Sequence, residues 1–220
     1  MAAIPLQREI YYPESDGKPM AESDVHRDVM VDLIHALETR YAGEPDVYVS
    51  GNLLIYYVEG NPRKSISPDV LLVRGVPKGQ RKTYLLWKER KAPDFVIEVT
   101  SDTTSHEDLN RKKDRYEDLG VEEYVLFDPL DDYLDPRLQG YRLRGGRYQP
   151  IPLERDGSLQ SRTTGLILRP EGTSLRLIDA ATGEHLLGRR EEREARLAAE
   201  ERTRVLEEEL ARLRRELGRY

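Results

Sequence analysis

The sequence of 220 residues contains no cysteine, one tryptophan and two phenylalanines. Without cysteine, disulfide bonds, thiol catalysis and cysteine-ligated metals are all excluded. No apolar segment approaches the roughly 20 residues that a membrane-spanning helix needs. The first residues, MAAIPLQREIYYPESDG, have no basic start followed by an apolar run, so they do not resemble a signal peptide. These absences favour a cytoplasmic protein without a membrane span.

The chain carries a formal net charge of −6, with 35% charged and 38% hydrophobic residues. A net acidic charge argues against a protein that coats nucleic acid generally, because such proteins are basic overall. It leaves open a local basic groove or a metal-assisted approach to phosphates. The length predicts one large domain, or one domain with an appendage.

The pattern of apolar residues predicts an N-terminal helix followed by many short strands. Ser23 is a suitable cap for a helix with an apolar stripe that ends near Tyr41. Short strands are expected up to the centre of the chain, and from Leu138 to Ile178 the pattern again indicates short strands, with a hairpin turn at Gly145–Gly146. The predicted early strands are Val47–Ser50, Asn52–Val58, Asp69–Val73 and Thr83–Trp87.

The centre of the chain predicts a strand, a helix and a second strand: Asp94–Thr100, His106–Leu119 and Glu123–Phe127. This order forms a crossover unit, in which the two strands lie parallel in one sheet. The letters SHED at the start of the helix are typical of a capping box, with Ser105 as the cap and Asp108 three residues later. Gly120 is a suitable residue to end the helix.

The last 33 residues, from 188 to 220, differ sharply in composition, since they are almost entirely Glu, Arg, Leu and Ala. We therefore predict a globular domain over residues 1–187 and a coiled-coil helix over residues 188–220. Alternating spacings of four and three separate the leucines of the predicted seam, which are Leu206, Leu210, Leu213 and Leu217. Such a helix suits a homo-oligomer or a partner protein; the alternative is a helix that folds back onto its own domain.

Glu98 lies at the centre of the apolar stretch PDFVIEVTS. An ionised carboxylate in a buried strand costs several kcal/mol unless a cation or a hydrogen-bond donor meets it. Three Pro-Asp pairs supply further carboxylates, at Asp46, Asp69 and Asp94. Asp94 precedes Glu98 by four residues, or about 13 Å along a strand, which is too far for one small cation. Asp69 begins a strand that would bring the two carboxylates together if it lay beside the Glu98 strand, and Asp46 remains possible.

Lys112 lies about two turns into the helix that follows the Glu98 strand. It either faces inward and reaches the end of that strand, or forms an ordinary surface ion pair with Asp108, four residues earlier. Lys113 is expected at the surface. The four histidines, His26, His35, His106 and His185, show no clear ligand spacing and are interpreted as packing or surface residues.

Two carboxylates and a lysine at one point suit phosphodiester hydrolysis. The carboxylates hold Mg²⁺, which polarises the phosphate and acidifies a bound water. The lysine orients that water or stabilises the charge that develops on the phosphate. A buried structural ion pair between Glu98 and Lys112 is the competing interpretation.

The stretches SPDVLLV and APDFVIEVTSDTTSHEDLNRKKDRYEDLGVEEYVLFDP closely resemble the Uma-type family of bacterial endonucleases, in the PD-(D/E)XK restriction-endonuclease-like superfamily. The similarity extends over roughly Glu22 to Asp179 and is densest between Ser67 and Pro129. It implies an α/β (α+β) fold with a restriction-endonuclease-like core, in which helices flank a mixed β-sheet. It also implies a metal-dependent endonuclease that acts on DNA and uses Mg²⁺ or Mn²⁺.

The resemblance assigns roles to individual residues. Asp69 and Glu98 match the metal-binding acids, and the backbone carbonyl of Val99 would also face the metal. The superfamily usually places its lysine two residues after the acid, where this chain has Thr100. In the Uma-type family the lysine is on the following helix, and the matching position is Lys112. Asp108 matches a position that caps or orients rather than ligates.

The sequence therefore predicts a metal-dependent endonuclease with catalytic residues Asp69, Glu98 and Lys112. One alternative is a catalytically idle domain of the same fold that serves as a binding or assembly module, which the acidic charge and Thr100 would favour. Another is a metal-dependent phosphoesterase that acts on a substrate other than DNA.

Overall fold

The computed structural model describes residues 10–15, 23–100 and 106–217. Within these residues the protein has four helices and twelve strands. The helices are α1 (Asp24–Arg40), α2 (Leu86–Glu89), α3 (His106–Leu119) and α4 (Arg189–Leu217). The strands are β1 (Val47–Ser50), β2 (Ile55–Tyr56), β3 (Ser65–Ile66), β4 (Val70–Arg74), β5 (Tyr84–Leu85), β6 (Phe95–Val99), β7 (Glu123–Phe127), β8 (Leu138–Arg144), β9 (Arg147–Pro150), β10 (Leu159–Gln160), β11 (Leu166–Glu171) and β12 (Ser174–Asp179).

The central sheet has six strands in the order β1-β4-β6-β7-β8-β9. Strands β6 and β7 are parallel, whereas the other neighbouring pairs of this sheet are antiparallel. Because α3 joins β6 to β7, the predicted crossover unit is present, and α3 and β7 have the predicted bounds. The predicted fold class, a mixed β-sheet flanked by helices with a further helix at the C-terminal end, is confirmed.

Each face of the central sheet packs against its own apolar core. Phe95, Ile97 and Val99 of β6 belong to the core that includes α1 and the small sheet β10-β11-β12. Val96 belongs to the opposite core, which includes α3 and the small sheet β3-β2-β5. Since side chains alternate along a strand, Glu98 lies on the α3 face together with Val96. Because of this alternation, the carboxylate of Glu98 faces α3.

The ends of α1 and α3 follow the predicted caps. The side chain of Ser23 accepts a hydrogen bond from the backbone N–H of His26 at 3.2 Å, so Ser23 is the predicted cap of α1. Gly120 follows α3 with a φ of 80°, the left-handed conformation that glycine adopts readily. The predicted cap Ser105 and the side chain of Asp108 lie outside the described residues.

The predicted hairpin is also present, between β8 and β9. Gly145 and Gly146 have φ values of 58° and 78°. Two consecutive positive φ values are typical of the two-residue turn whose twist matches that of the flanking strands. The hairpin continues the central sheet beyond β7, as expected for the strands predicted after Leu138.

Two predicted strands are shorter than expected. The strand predicted over Asn52–Val58 is reduced to β2, and that predicted over Thr83–Trp87 is reduced to β5. The two pair with each other over only two residues each, so the backbone beyond Leu85 finds no strand partner within the described sheet. It turns instead into α2, and Arg90, which follows this helix, is in the left-handed conformation with a φ of 57°.

The long helix α4 contacts the body of the protein through its first turn. The backbone N–H of Arg189 donates to Asp32 Oδ1 at 3.0 Å, and the guanidinium of Arg190 lies 2.6 Å from Asp28 Oδ2. Beyond Glu191, every described side chain of α4 is exposed. Although α4 is long, no helix among the described residues is long and apolar enough to cross a membrane. The division of the chain at residues 187 and 188 stays a prediction.

Candidate metal centre

The sheet brings Asp69, rather than Asp46 or Asp94, next to the Glu98 strand. Asp69 directly precedes β4, and its Oδ2 accepts a hydrogen bond from the backbone N–H of Val99 at 2.8 Å. Antiparallel pairing of Val70 with Ile97 places Asp69 opposite Glu98 when the register is continued by one residue. The carboxylates of these two adjacent strands therefore lie at one end of the sheet.

The other two aspartates lie at the far end of β4. Asp46 precedes β1, whose first residue pairs with Arg74, the last residue of β4. Asp94 Oδ2 accepts a hydrogen bond from the backbone N–H of Arg74 at 2.6 Å. Arg74 follows Asp69 by five residues along the strand, or about 16 Å. This distance excludes Asp46 and Asp94 from a common cation site with Asp69.

The buried carboxylate of Glu98 has two donors from α3. Its side chain is 2% exposed, and Lys112 Nζ donates to Oε2 at 2.7 Å. The hydroxyl of Tyr116 donates to Oε1 at 2.6 Å. Lys112 and Tyr116 are four residues apart, so they share one face of α3. Lys112 also donates to the carbonyl of Ser67 at 3.3 Å, next to the loop that carries Asp69.

Lys112 thus faces inward, as one of the two sequence interpretations requires. Thr100, where the superfamily usually has its lysine, is 3% exposed, and its hydroxyl has no hydrogen-bond partner among the described residues. The ammonium group therefore reaches Glu98 from the helix and not from the strand.

The two carboxylates have pKa values shifted in opposite directions. Burial raises the pKa of Glu98 to about 8, the charge of Asp69 adds to this increase, and the charge of Lys112 opposes it. Burial also favours a higher pKa for Asp69. The hydrogen bond from His26 and the charge of Lys112 together outweigh this effect of burial, so the pKa of Asp69 lies below its ordinary value. In the absence of a cation, Asp69 is therefore the ionised member of the pair at neutral pH.

His26 is buried, as the packing interpretation expects, and it also contacts two of the predicted ligand groups, which the sequence did not predict. The side chain is buried, and Nε2 lies 3.3 Å from Asp69 Oδ2 and 3.0 Å from the carbonyl oxygen of Val99. Both neighbours are acceptors, so Nε2 carries a hydrogen that they share. The signal was present in the sequence, because His26 precedes Met30 by four residues and thus extends the apolar stripe of α1. A polar residue on a buried stripe needs a partner.

The donor atoms at this end of the sheet suit a small hard cation. The described residues contain no cluster of three or more histidine and acidic side chains able to hold a metal ion. Two carboxylates and the carbonyl of Val99 remain as donors. Mg²⁺ usually binds through one or two carboxylates and keeps several waters, so this set fits Mg²⁺ or Mn²⁺ better than a metal that needs a complete protein cage.

Without a divalent cation, the protein is expected to lose stability as the pH rises from about 5 to about 8. The folded state holds the proton of Glu98 up to a pKa of about 8, whereas the unfolded chain releases it near 4.5. The unfolded state therefore binds fewer protons in this range, and rising pH favours unfolding. Urea denaturation in EDTA at pH 5.5 and pH 8 measures the difference. Glu98→Gln should flatten it, and an unchanged pH dependence in that variant would contradict the assignment.

The mixed sheet, with two carboxylates and a lysine at one end, is the arrangement expected of a restriction-endonuclease-like protein. Comparison with protein families gives the same class. The family model "Uma2: Putative restriction endonuclease" matches residues 3–170. The chain belongs to this family.

Comparison with the curated proteins gives no match. Among solved structures, the chain is similar to a protein described as "a putative nuclease belonging to DUF820 from Anabaena variabilis ATCC 29413". The two are 16% identical, with a TM-score of 0.49, and the match covers 67% of this chain and 76% of that one.

Proposed function

We propose that this protein is an endonuclease that hydrolyses phosphodiester bonds of DNA with Mg²⁺ or Mn²⁺ as cofactor. The observation that carries the proposal is the convergence of Asp69, Glu98 and Lys112 at one end of the central sheet. Lys112 Nζ lies 2.7 Å from Glu98 Oε2. Asp69 Oδ2 accepts a hydrogen bond from the backbone N–H of Val99, the residue that follows Glu98 in β6. Membership of the Uma2 family gives independent support for the class of reaction.

In this proposal, Asp69, Glu98 and the carbonyl of Val99 hold the cation. When bound, the metal polarises the phosphate and acidifies a water. Asp69 is available for this role because none of the described residues donates to its second oxygen, Oδ1. Tyr116 holds Glu98 in a fixed orientation through Oε1. Asp69 and Glu98 would thus supply negative charge for the cation, and the contact with Tyr116 would limit the movement of Glu98.

Lys112 is proposed to stabilise the negative charge that develops on the phosphate, or to orient the attacking water. Its side chain is 21% exposed, so Lys112 borders solvent while its ammonium group lies next to the buried Glu98 carboxylate. A fixed positive charge in a partly desolvated position stabilises an anionic transition state more than a mobile surface charge does.

The second candidate function is a catalytically idle domain that serves as a binding or assembly module. Two observations favour it: the net charge of −6 and the threonine at position 100. A metal-dependent phosphoesterase acting on a different substrate is the third. Metal affinity separates the first and third candidates from the second, since only an idle module would lack it.

The test is cleavage of supercoiled and single-stranded DNA with Mg²⁺ or Mn²⁺, together with calorimetric metal titration of the same protein. Cleavage supports the nuclease. Metal binding without cleavage would mean that the substrate is not DNA. No metal binding at all would overturn the proposed activity and leave the module.

His26→Leu is expected to lower the affinity for Mn²⁺ about 10-fold, because His26 holds two of the proposed ligand groups in place. His26→Gln should retain most of the affinity, since its amide nitrogen can still donate. His35→Gln, on the same helix, is the control and should bind like the wild type. Isothermal titration calorimetry measures all four proteins, and equal affinities for His26→Leu and His35→Gln would contradict a positioning role.

We also propose that the protein forms a homo-oligomer through α4. After the first turn, the described residues of α4 leave their side chains exposed, including leucines that a monomer would keep in water. The exposure of these leucines supports self-association over a helix that folds back onto its own domain, since that arrangement would bury them.

A further inference from the structure

Among the described residues, one face of α4 is both apolar and exposed. Its seam consists of four leucines with exposed fractions of 64%, 49%, 46% and 76%, which are Leu206, Leu210, Leu213 and Leu217. An apolar stripe along one side of a helix is typical of a surface that packs against another element. Within the described residues, no element covers it.

We infer that a second copy of this chain covers this face, as a parallel, in-register, two-stranded coiled coil. The inference rests on the proposed self-association through α4 and does not require nuclease activity. In heptad terms, Leu206 and Leu213 occupy d positions, and Leu210 and Leu217 occupy a positions. Upstream, Ala199 continues the d positions and Thr203 the a positions.

The charges beside the seam favour the parallel orientation. In a parallel dimer, each g residue faces the e residue that follows five positions later on the second copy. Arg202 then faces Glu207, and Glu209 faces Arg214. Both contacts join opposite charges, and the two-fold symmetry gives four such pairs. None of the flanking contacts that lie within the described helix joins like charges.

In the antiparallel orientation, the charges beside the seam of the two copies are less complementary. Matching the leucines in that direction pairs e positions with e positions and g positions with g positions. Glu207 would still meet Arg214, but Glu209 would meet the acidic g position of the next heptad, which is repulsive. The helices upstream of Thr203 would also extend away from each other unpaired.

Polar residues at the a positions of the upstream heptads restrict the register of the coil. Arg196 and Thr203 occupy a positions, and a polar residue there specifies register and oligomer state at some cost in stability. The first turn of α4 is held to the body by Arg176, which forms a bidentate pair with Glu191 at 2.6 and 2.7 Å. A parallel coil therefore brings both bodies, and both candidate metal centres, to the same end.

The first experiment measures the mass of the full chain by sedimentation equilibrium. Wild type is expected to be a dimer. Leu213→Glu is expected to weaken dimerisation at least ~100-fold, because it places a charge in the seam. Val205→Glu is the matched control, since Val205 is 47% exposed and lies off the seam; it should remain dimeric. A monomeric wild type, or equal effects of the two variants, would overturn the inference.

The second experiment tests orientation and uses the absence of native cysteine. Leu217→Cys alone should form a disulfide-linked dimer in a glutathione buffer. In the antiparallel arrangement Leu217 would lie opposite Leu206, eleven residues or about 16 Å from its own counterpart, too far for a disulfide. Cross-linking only in a mixture of Leu217→Cys with Leu206→Cys would overturn the parallel orientation and leave the dimer.

Glu209→Arg should weaken a parallel dimer about tenfold, and adding Arg214→Glu should restore it.

Discussion

Asp69→Asn and Glu98→Gln are each expected to lower the rate of Mg²⁺-dependent cleavage of supercoiled DNA by about 10²–10³-fold or more. Both changes keep the shape of the side chain and remove the negative charge that would hold the cation. Asp69→Asn retains an oxygen that can accept the hydrogen bond from the Val99 amide, so the strand contact at 2.8 Å should survive. The loss of cleavage should therefore be accompanied by loss of metal affinity and not by unfolding.

Glu98→Gln distinguishes the loss of metal binding from a loss of stability even more clearly than Asp69→Asn does. Since burial raises the pKa of Glu98 to about 8, the metal-free wild type at neutral pH already carries a neutral side chain there. Glutamine resembles this protonated form, so the melting temperature in EDTA should be unchanged or higher. Asp46→Asn is the control, because Asp46 also follows a proline but lies at the far end of the sheet. Wild-type cleavage by either Asp69→Asn or Glu98→Gln would place the centre elsewhere.

Lys112→Met is expected to lower the cleavage rate about 10²–10³-fold, comparable to loss of a donor that stabilises an oxyanion. The methionine retains the apolar length of the side chain and removes the ammonium group 2.7 Å from Glu98 Oε2. The charge of Lys112 lowers the pKa of Glu98, so its removal should raise that pKa further. Metal affinity should therefore fall at pH 7 and recover at higher pH.

This recovery distinguishes the two roles that Lys112 could have. If Lys112 only kept Glu98 ionised, cleavage would recover together with metal binding as the pH rises. If it acts on the phosphate or the attacking water, metal binding recovers and cleavage does not. Lys113→Met is the matched control, because the Lys113 ammonium lies 3.6 Å from the centre of the Tyr141 ring and not at Glu98. Full activity of Lys112→Met would leave the buried ion pair as a structural feature alone.

Several parts of the fold follow from short stretches of sequence. The crossover unit β6-α3-β7 was predictable because its strands are short apolar runs and its helix ends at a glycine, and both signals act over a few residues. The cap at Ser23 and the Gly145–Gly146 turn are likewise local. The strands near β2 and β5 were predicted too long because their ends depend on pairing partners that are distant in sequence.

The composition and motifs of the chain determined the class of protein, the mixed α/β fold and the identity of Glu98 as an acid that needs a partner. They set Asp94 apart by its spacing and, through the family resemblance, selected Asp69, but the residue pattern by itself did not exclude Asp46, because that depends on the register of β4 against β6, a contact between residues about thirty positions apart. Nor did they place His26 at the Val99 carbonyl, 73 residues away. Local propensity and hydrophobic period act over neighbouring residues, whereas the convergence of charged groups depends on chain segments that only tertiary packing brings together.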